Sequence, residues 1–255
     1  MLYPDGHSGQ GGAESDATQC LAGRAGLRYM PISMAIDVKI CGLREPAAFE
    51  AAIGGGARWA GLVFYPPSPR AISPEAAFAL SRLCHGTPCE PVGVYVDPDE
   101  SLLAATAEAI AWFQLHGTET PEQVAAIRRR WNKPVIKAIA VADRTDLERA
   151  AAYAPVADRL LFDAKPRPGD LPGGTGRRFA WELLADFDPG IPWILSGGLT
   201  AGTLAEAVAA SGATAVDVSS GVEEMPGRKS VDKIADFLDT ARRISARQAK
   251  QEQLT

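Results

Sequence analysis

The chain has 255 residues, 46% of them hydrophobic, and 26 Lys and Arg against 31 Asp and Glu give a formal net charge of -5. That length holds one large domain with a full core, or two small ones. The mildly acidic balance argues against a nucleic-acid partner, and no apolar run reaches the roughly 18 residues of a membrane span. Four scattered cysteines (Cys20, Cys41, Cys84 and Cys89) do not form the framework of a disulfide-stapled secreted domain, so a cytoplasmic location is expected.

Residues 1–34 include the polar, glycine-rich stretch His7-Ser8-Gly9-Gln10-Gly11-Gly12 and show no apolar period. They lack the apolar centre of a signal peptide, so a disordered extension is expected, with Met34 a candidate start. From Ala35 onward one unit recurs: a short apolar run, a turn, then a segment of helical period. The runs are Asp37 to Ile40, Trp59 to Phe64, Pro91 to Val96, Ala111 to Gln114, Pro134 to Ile139, Arg159 to Phe162, Ile191 to Leu195 and Ala215 to Val218. They are rich in Val, Ile, Leu and Phe without strict alternation, as strands buried on both faces should be.

Helices are predicted between them. One runs from Pro46 to Ile53 and stops at Gly54-Gly55-Gly56. Ser73-Pro74-Glu75, Asp97-Pro98 and Thr120-Pro121-Glu122 each pair a capping residue with a proline at the first helical position. Asp143 to Tyr153, Trp181 to Phe187, Thr203 to Ser211 and Val231 to Ile244 complete the set, and a polar tail is expected over residues 246–255. About eight such units predict a single-domain (β/α)₈ TIM barrel over residues 35–245, because closure leaves no strand edge unpaired. The alternative is an open doubly wound sheet. No Gly-x-Gly-x-x-Gly follows the first strand, which weighs against a dinucleotide site.

In such a barrel the working residues sit where strands end. Lys39 and Cys41 follow the first strand, Arg70 the second, Asp97 the third and His116 the fourth; Asp163 and Lys165 follow the sixth, and Ser196 the seventh. Two glycine-rich turns, Leu195-Ser196-Gly197-Gly198-Leu199 and Val218-Ser219-Ser220-Gly221-Val222, close strands seven and eight. Loops there hold phosphate in this architecture, and small residues bring backbone N–H groups close to an anion. Gly197, Gly198, Ser219 and Ser220 are therefore candidate phosphate ligands, with Gly173 and Gly174 of Gly173-Gly174-Thr175-Gly176 adding a wall. Either turn is also compatible with glycine serving a tight connection.

Cys41 reads equally as a small buried hydrophobe or as a reactive thiol, and reactivity requires nearby positive charge to lower its pKa. Asp163 ends the apolar run Leu160-Leu161-Phe162, where an unpaired carboxylate is costly. A helix cap or an ion pair with Lys165 is its structural alternative. Arg70 suits a substrate carboxylate, gripped through two parallel hydrogen bonds, and Lys39 and His116 are further candidate substrate contacts. Cys84, His85 and Cys89 match no zinc spacing, so no metal is expected.

Taken in order, Lys39-Ile40-Cys41-Gly42, Phe64-Tyr65-Pro66-Pro67-Ser68-Pro69-Arg70, Val92-Gly93-Val94-Tyr95-Val96 and Gln114-Leu115-His116-Gly117 resemble the phosphoribosylanthranilate isomerase family. So do Leu161-Phe162-Asp163-Ala164-Lys165, the glycine turns, Asp217 to Glu223 and Pro226-Gly227-Arg228-Lys229. The resemblance runs from about Val38 to Phe237. It implies a cofactor-free Amadori isomerase of tryptophan biosynthesis, acting on a small phosphoribosyl substrate as a monomer or homodimer. It also implies Cys41 as general base, Asp163 as general acid, Arg70 as the contact to the anthranilate carboxylate, and the glycine-serine turns as phosphate loops. Indole-glycerol-phosphate synthase and aminoimidazole-carboxamide ribotide isomerase are weaker fits. The latter shows a two-fold repeat, and no second phosphate pair occurs at strands three and four. A barrel that binds without chemistry would be expected to lack Cys41 or Asp163.

Overall fold

In the computed structural model of the chain, the residues described are 35–171 and 173–252. The expected extension over residues 1–34 lies outside them. Eight parallel strands close a barrel in sequence order: β1 (Asp37–Cys41), β2 (Trp59–Val63), β3 (Glu90–Tyr95), β4 (Trp112–Leu115), β5 (Val135–Val141), β6 (Arg159–Ala164), β7 (Trp193–Leu195) and β8 (Ala215–Val218). Closure rests on β1 pairing with β8 from Asp37↔Ala215 to Ile40↔Val218. β7 and β8 share a single register pair, Leu195↔Val216, so the wall is loosest at the two glycine turns. The strand expectations hold to within one residue at each end, except that β5 and β6 run two residues further and β7 starts two later.

Alternation along each strand splits the interior in two. Outward residues such as Ile40, Leu62, Phe113, Leu160 and Phe162 pack with the helices in the main core. Inward residues form a plug inside the barrel, with Trp59, Val92, Ile136, Leu161 and Ile194 at its centre and Cys41, Val63 and Val94 above. At the floor the Arg159 guanidinium lies 5.0 Å from the Trp59 ring and 6.0 Å from that of Trp112.

The helices are α1 (Pro46–Gly54), α2 (Pro74–Ser81), α3 (Glu100–Thr106), α4 (Pro121–Trp131), α5 (Arg144–Glu148), α6 (Leu204–Ser211) and α7 (Val231–Glu252). Ser73 caps α2, and Thr120 with Gln123 forms a reciprocal capping box on α4. Three segments depart from the sequence expectation. Asp97 does not open α3: its φ is 45°, its carboxylate holds the backbone of Thr118, and Asp99 is the cap. Trp181 to Phe187 forms only a 3₁₀ turn, Trp181–Leu184, so among the described residues no α-helix lies between β6 and β7. The last helix continues to Glu252, through most of the segment expected as a tail.

A short antiparallel hairpin, β9 (Glu223–Met225) and β10 (Arg228–Lys229), follows β8. Gly227 at its turn lies against the proline-rich loop; a Cβ there would stand 2.3 Å from the Pro69 carbonyl oxygen. No described helix is long and apolar enough to cross a membrane.

Candidate active site

A cavity opens at the carboxyl ends of the strands, and Cys41, Arg70, His116, Asp163, both glycine turns and the Gly173–Gly176 loop all line it. Cys41 ends β1 and Asp163 is the next-to-last residue of β6, so thiol and carboxyl meet the same space from well-separated walls of the barrel.

β1 turns Lys39 and Cys41 to the same inward face, two residues apart. Lys39 is fully buried and does not line the cavity; its ammonium donates a 2.8 Å bond to Asp217 Oδ1 on β8. Lys39, expected as a substrate contact, thus stands beneath the thiol and outside the cavity lining. Gly61 on β2 makes the room, since a Cβ there would stand 3.0 Å from Cys41 Sγ and 3.1 Å from Lys39 Nζ. Burial pushes the Cys41 thiol above its ordinary pKa; the Lys39 ammonium opposes this, Asp217 adds to it, and Lys229 opposes it more weakly. The expected lowering does not occur, because desolvation outweighs the positive charge. Lys39 itself sits above the ordinary lysine value: burial pulls it down, but Asp217 and Cys41 together outweigh burial.

Asp163 is buried, and its Oδ1 accepts a 2.8 Å bond from the Ala164 N–H. Oδ2 lies 3.5 Å from His116 Nε2. Lys165 turns away to Asp146, 3.0 Å from its Oδ1, so neither a Lys165 pair nor a helix cap explains the carboxyl. His116 Nδ1 is 3.0 Å from the Gln114 side-chain nitrogen, and Gln114 Oε1 has no partner among the described residues. Turning that amide over would set the oxygen against Nδ1–H, so the amide orientation selects the imidazole tautomer that faces Asp163.

Arg70 lines the cavity with its strongest fork already occupied. Nε and Nη2 bind Glu223 of β9 at 2.7 and 2.8 Å, and Nη2 also donates to the Gly174 carbonyl at 3.1 Å. The expected pair of parallel bonds therefore goes to the protein, and Nη1 is the guanidinium nitrogen left without a partner among the described residues.

Gly197 and Gly198 take φ of 89° and 67°, which a side chain would strain. Their N–H groups and that of Ser219 have no acceptor among the described residues. The Ser219 hydroxyl donates to the Cys41 carbonyl at 3.1 Å, and Lys229 Nζ donates to the Ser219 carbonyl at 2.9 Å. Sequence reasoning passed over Asp217, Gln114, Glu223 and Lys229 as site residues. A period-two count back from Ser219 and His116 would have put Asp217 and Gln114 on the inward face.

Such a fold and mouth define a (β/α)₈ enzyme that takes a small polar molecule at the carboxyl ends of its strands. The chain belongs to the N-(5'-phosphoribosyl)anthranilate isomerase family, whose model matches residues 38–240. It is 53% identical over 212 residues to the N-(5'-phosphoribosyl)anthranilate isomerase of Rhodospirillum centenum, covering 82% of this chain and 99% of that one. The Azorhizobium caulinodans enzyme of the same name is 52% identical over 216 residues, covering 84% and 94%. The crystal structure of phosphoribosyl anthranilate isomerase from Thermotoga maritima superposes with a TM-score of 0.72 at 35% identity, covering 81% and 98%. A further isomerase structure, in complex with reduced 1-(o-carboxyphenylamino)-1-deoxyribulose 5-phosphate, matches with a TM-score of 0.70 at 34% identity, covering 81% and 98%.

Proposed function

We propose that this chain isomerises N-(5-phosphoribosyl)anthranilate to 1-(2-carboxyphenylamino)-1-deoxyribulose 5-phosphate, with Asp163 as acid and Cys41 as base. The observation that carries the assignment is the single cavity lined by both groups from separate walls of the barrel. As general acid, the Asp163 carboxyl gives a proton to the ribose ring oxygen. The C1–O bond breaks as the anthranilate nitrogen forms a C1=N iminium. Cys41 then takes the proton from C2, and the C2–H electrons form the C1=C2 double bond and discharge the iminium. The enolamine gains a proton at C1 and loses one from the C2 hydroxyl, leaving a ketone. One carbon is oxidised as its neighbour is reduced, so the chemistry balances within the substrate.

Burial raises the Cys41 pKa and so opposes the thiolate that this step needs. Cys41 must be thiolate to accept the C2 proton, and the Lys39 ammonium below together with the iminium charge beside it favour that form against burial. The Gly197, Gly198, Ser219 and Ser220 backbone, walled by Gly173 and Gly174, supplies donors for the phosphate. Arg70 Nη1 meets the anthranilate carboxylate, and His116 steadies Asp163. The test is loss of phosphoribosylanthranilate fluorescence on adding wild-type enzyme beside Cys41→Ala. Turnover in the wild type that the variant matches removes Cys41 from its role.

A further inference from the structure

Glu223 lies outside the lining of the cavity, yet it is buried and meets two cations at once. Its carboxylate takes the Nε/Nη2 fork of Arg70 and a 2.8 Å bond from Lys229 Nζ. Both acidic oxygens are thereby used, and the local cluster carries one net positive charge. Lys229 in turn binds the Ser219 carbonyl at 2.9 Å and the Ser219 hydroxyl at 3.2 Å. A chain of bonded groups therefore runs from the loop after β2, through the hairpin, to the turn after β8. The hairpin is fixed against the same loop from a second direction, with Gly227 packed on Pro69 and Arg44 Nη1 donating to the Pro69 carbonyl at 2.8 Å.

We infer that Glu223 is a positioning residue that sets the enzyme's selectivity for a substrate bearing a carboxylate, by fixing Arg70 so that only Nη1 faces the ligand. The inference rests on Arg70 as the carboxylate contact, as proposed above. Five guanidinium N–H groups could point in many directions. With Nε and Nη2 held by Glu223 and by the Gly174 carbonyl, the plane of the group is fixed before substrate arrives, and less side-chain entropy is lost on binding. Lys229 keeps the cluster cationic, so the fork to Glu223 does not cancel the attraction for an incoming carboxylate. Because Lys229 also holds Ser219, the carboxylate end and the phosphate end of the site share one brace.

The experiment compares kcat/KM for N-(5-phosphoribosyl)anthranilate with that for the phosphoribosyl adduct of aniline, which lacks the carboxylate. Wild type, Glu223→Gln, Arg70→Lys and the double variant are measured. Glu223→Gln is expected to lower the ratio of the two values by about 10- to 100-fold, the worth of one oriented bond to a charged group. The fall in the ratio enters through KM for the natural substrate; whatever Glu223→Gln does through Lys229 to the phosphate end falls on both substrates alike and cancels in the ratio. In Arg70→Lys the ratio falls as far, and adding Glu223→Gln changes it no further, because the two act as a unit. A general structural defect would instead lower both values together and leave the ratio intact, and that result overturns the inference. A ratio that collapses in Arg70→Lys but not in Glu223→Gln also overturns it, while Arg70 keeps its role. A ratio unchanged in both removes the Arg70 assignment and this inference with it. Should Glu223→Gln fail to fold, Glu223→Asp keeps the charge between the cations and withdraws the fork, and the same ratio decides.

Discussion

Two buried lysine–carboxylate pairs stand in the same barrel wall system and differ in one respect. Lys137 of β5 and Glu119 are 2.7 Å apart, and Lys137 also donates to the Gly117 and Leu115 carbonyls at 2.8 and 3.3 Å. Glu119 accepts from the backbone N–H groups of Asp97 and Gly117. All three ammonium protons are used, and neither residue touches a reacting group. Lys39 and Asp217 are 2.8 Å apart on β1 and β8, but the Lys39 charge also acts on the neighbouring Cys41 thiol, and Asp217 lines the cavity. A saturated pair can only hold the fold, whereas a pair with capacity to spare can act on a neighbour's charge.

The largest effect expected from breaking this contrast is in stability at the saturated pair. Lys137→Met leaves Glu119 buried without a counter-charge and should cost about 3–5 kcal/mol, read as a lowered urea midpoint, with turnover per folded molecule close to wild type. Lys39→Met should do the reverse: a smaller loss of stability, because Asp217 keeps the Ser196 hydroxyl at 3.3 Å and faces the cavity, and about 100-fold lower kcat from loss of thiolate stabilisation. Equal losses in both variants would erase the distinction. Gly61→Ala sharpens it by moving groups without removing charge. A methyl 3.0 Å from Cys41 Sγ and 3.1 Å from Lys39 Nζ must displace one of them, and about a tenfold fall in kcat is expected from the misplacement.

Two pH effects are smaller. Since burial raises the Cys41 pKa, its alkylation by iodoacetamide in the free enzyme should still be accelerating above the ordinary thiol value of about 8.5, and Lys39→Met should slow it further. Asp158, far from the mouth, is held below the ordinary aspartate range: burial opposes ionisation, but the Arg128 fork at 2.7 and 2.8 Å and the Val135 N–H at 2.9 Å outweigh it. A depressed carboxylate pKa stabilises the native state above the unfolded value of about 3.9 and loses that contribution as pH falls through the native value. Asp158→Asn should flatten the acid limb of the stability profile by less than about 1 kcal/mol, since the pair is partly exposed.

The strands were legible because their apolar runs are interrupted by glycine and capping residues at regular spacing, and the barrel followed from their number. The helices after β3 and β6 were less so. Asp97-Pro98 imitates a cap, but the carboxylate of Asp97 is engaged by Thr118, a partner 21 positions away, and such long-range bonds override local propensity. At the site, Cys41, Asp163, Arg70, His116 and the glycine turns were legible as polar or small residues at strand ends, and they line one cavity. Lys39 reads from the sequence as a strand-end ligand contact, and its burial against Asp217 on β8 could not be read from the local sequence. Glu223 was invisible as a site residue, since its partners Arg70 and Lys229 lie on opposite sides of it in the chain.

The division of the chemistry between Cys41 and Asp163 is tested most directly by single-turnover measurement on Cys41→Ala and Asp163→Asn with a bound-product control. Each variant should lose about 10²- to 10⁴-fold in the rate of substrate loss while binding reduced 1-(o-carboxyphenylamino)-1-deoxyribulose 5-phosphate as tightly as wild type. Near-normal turnover in either variant would contradict the assignment.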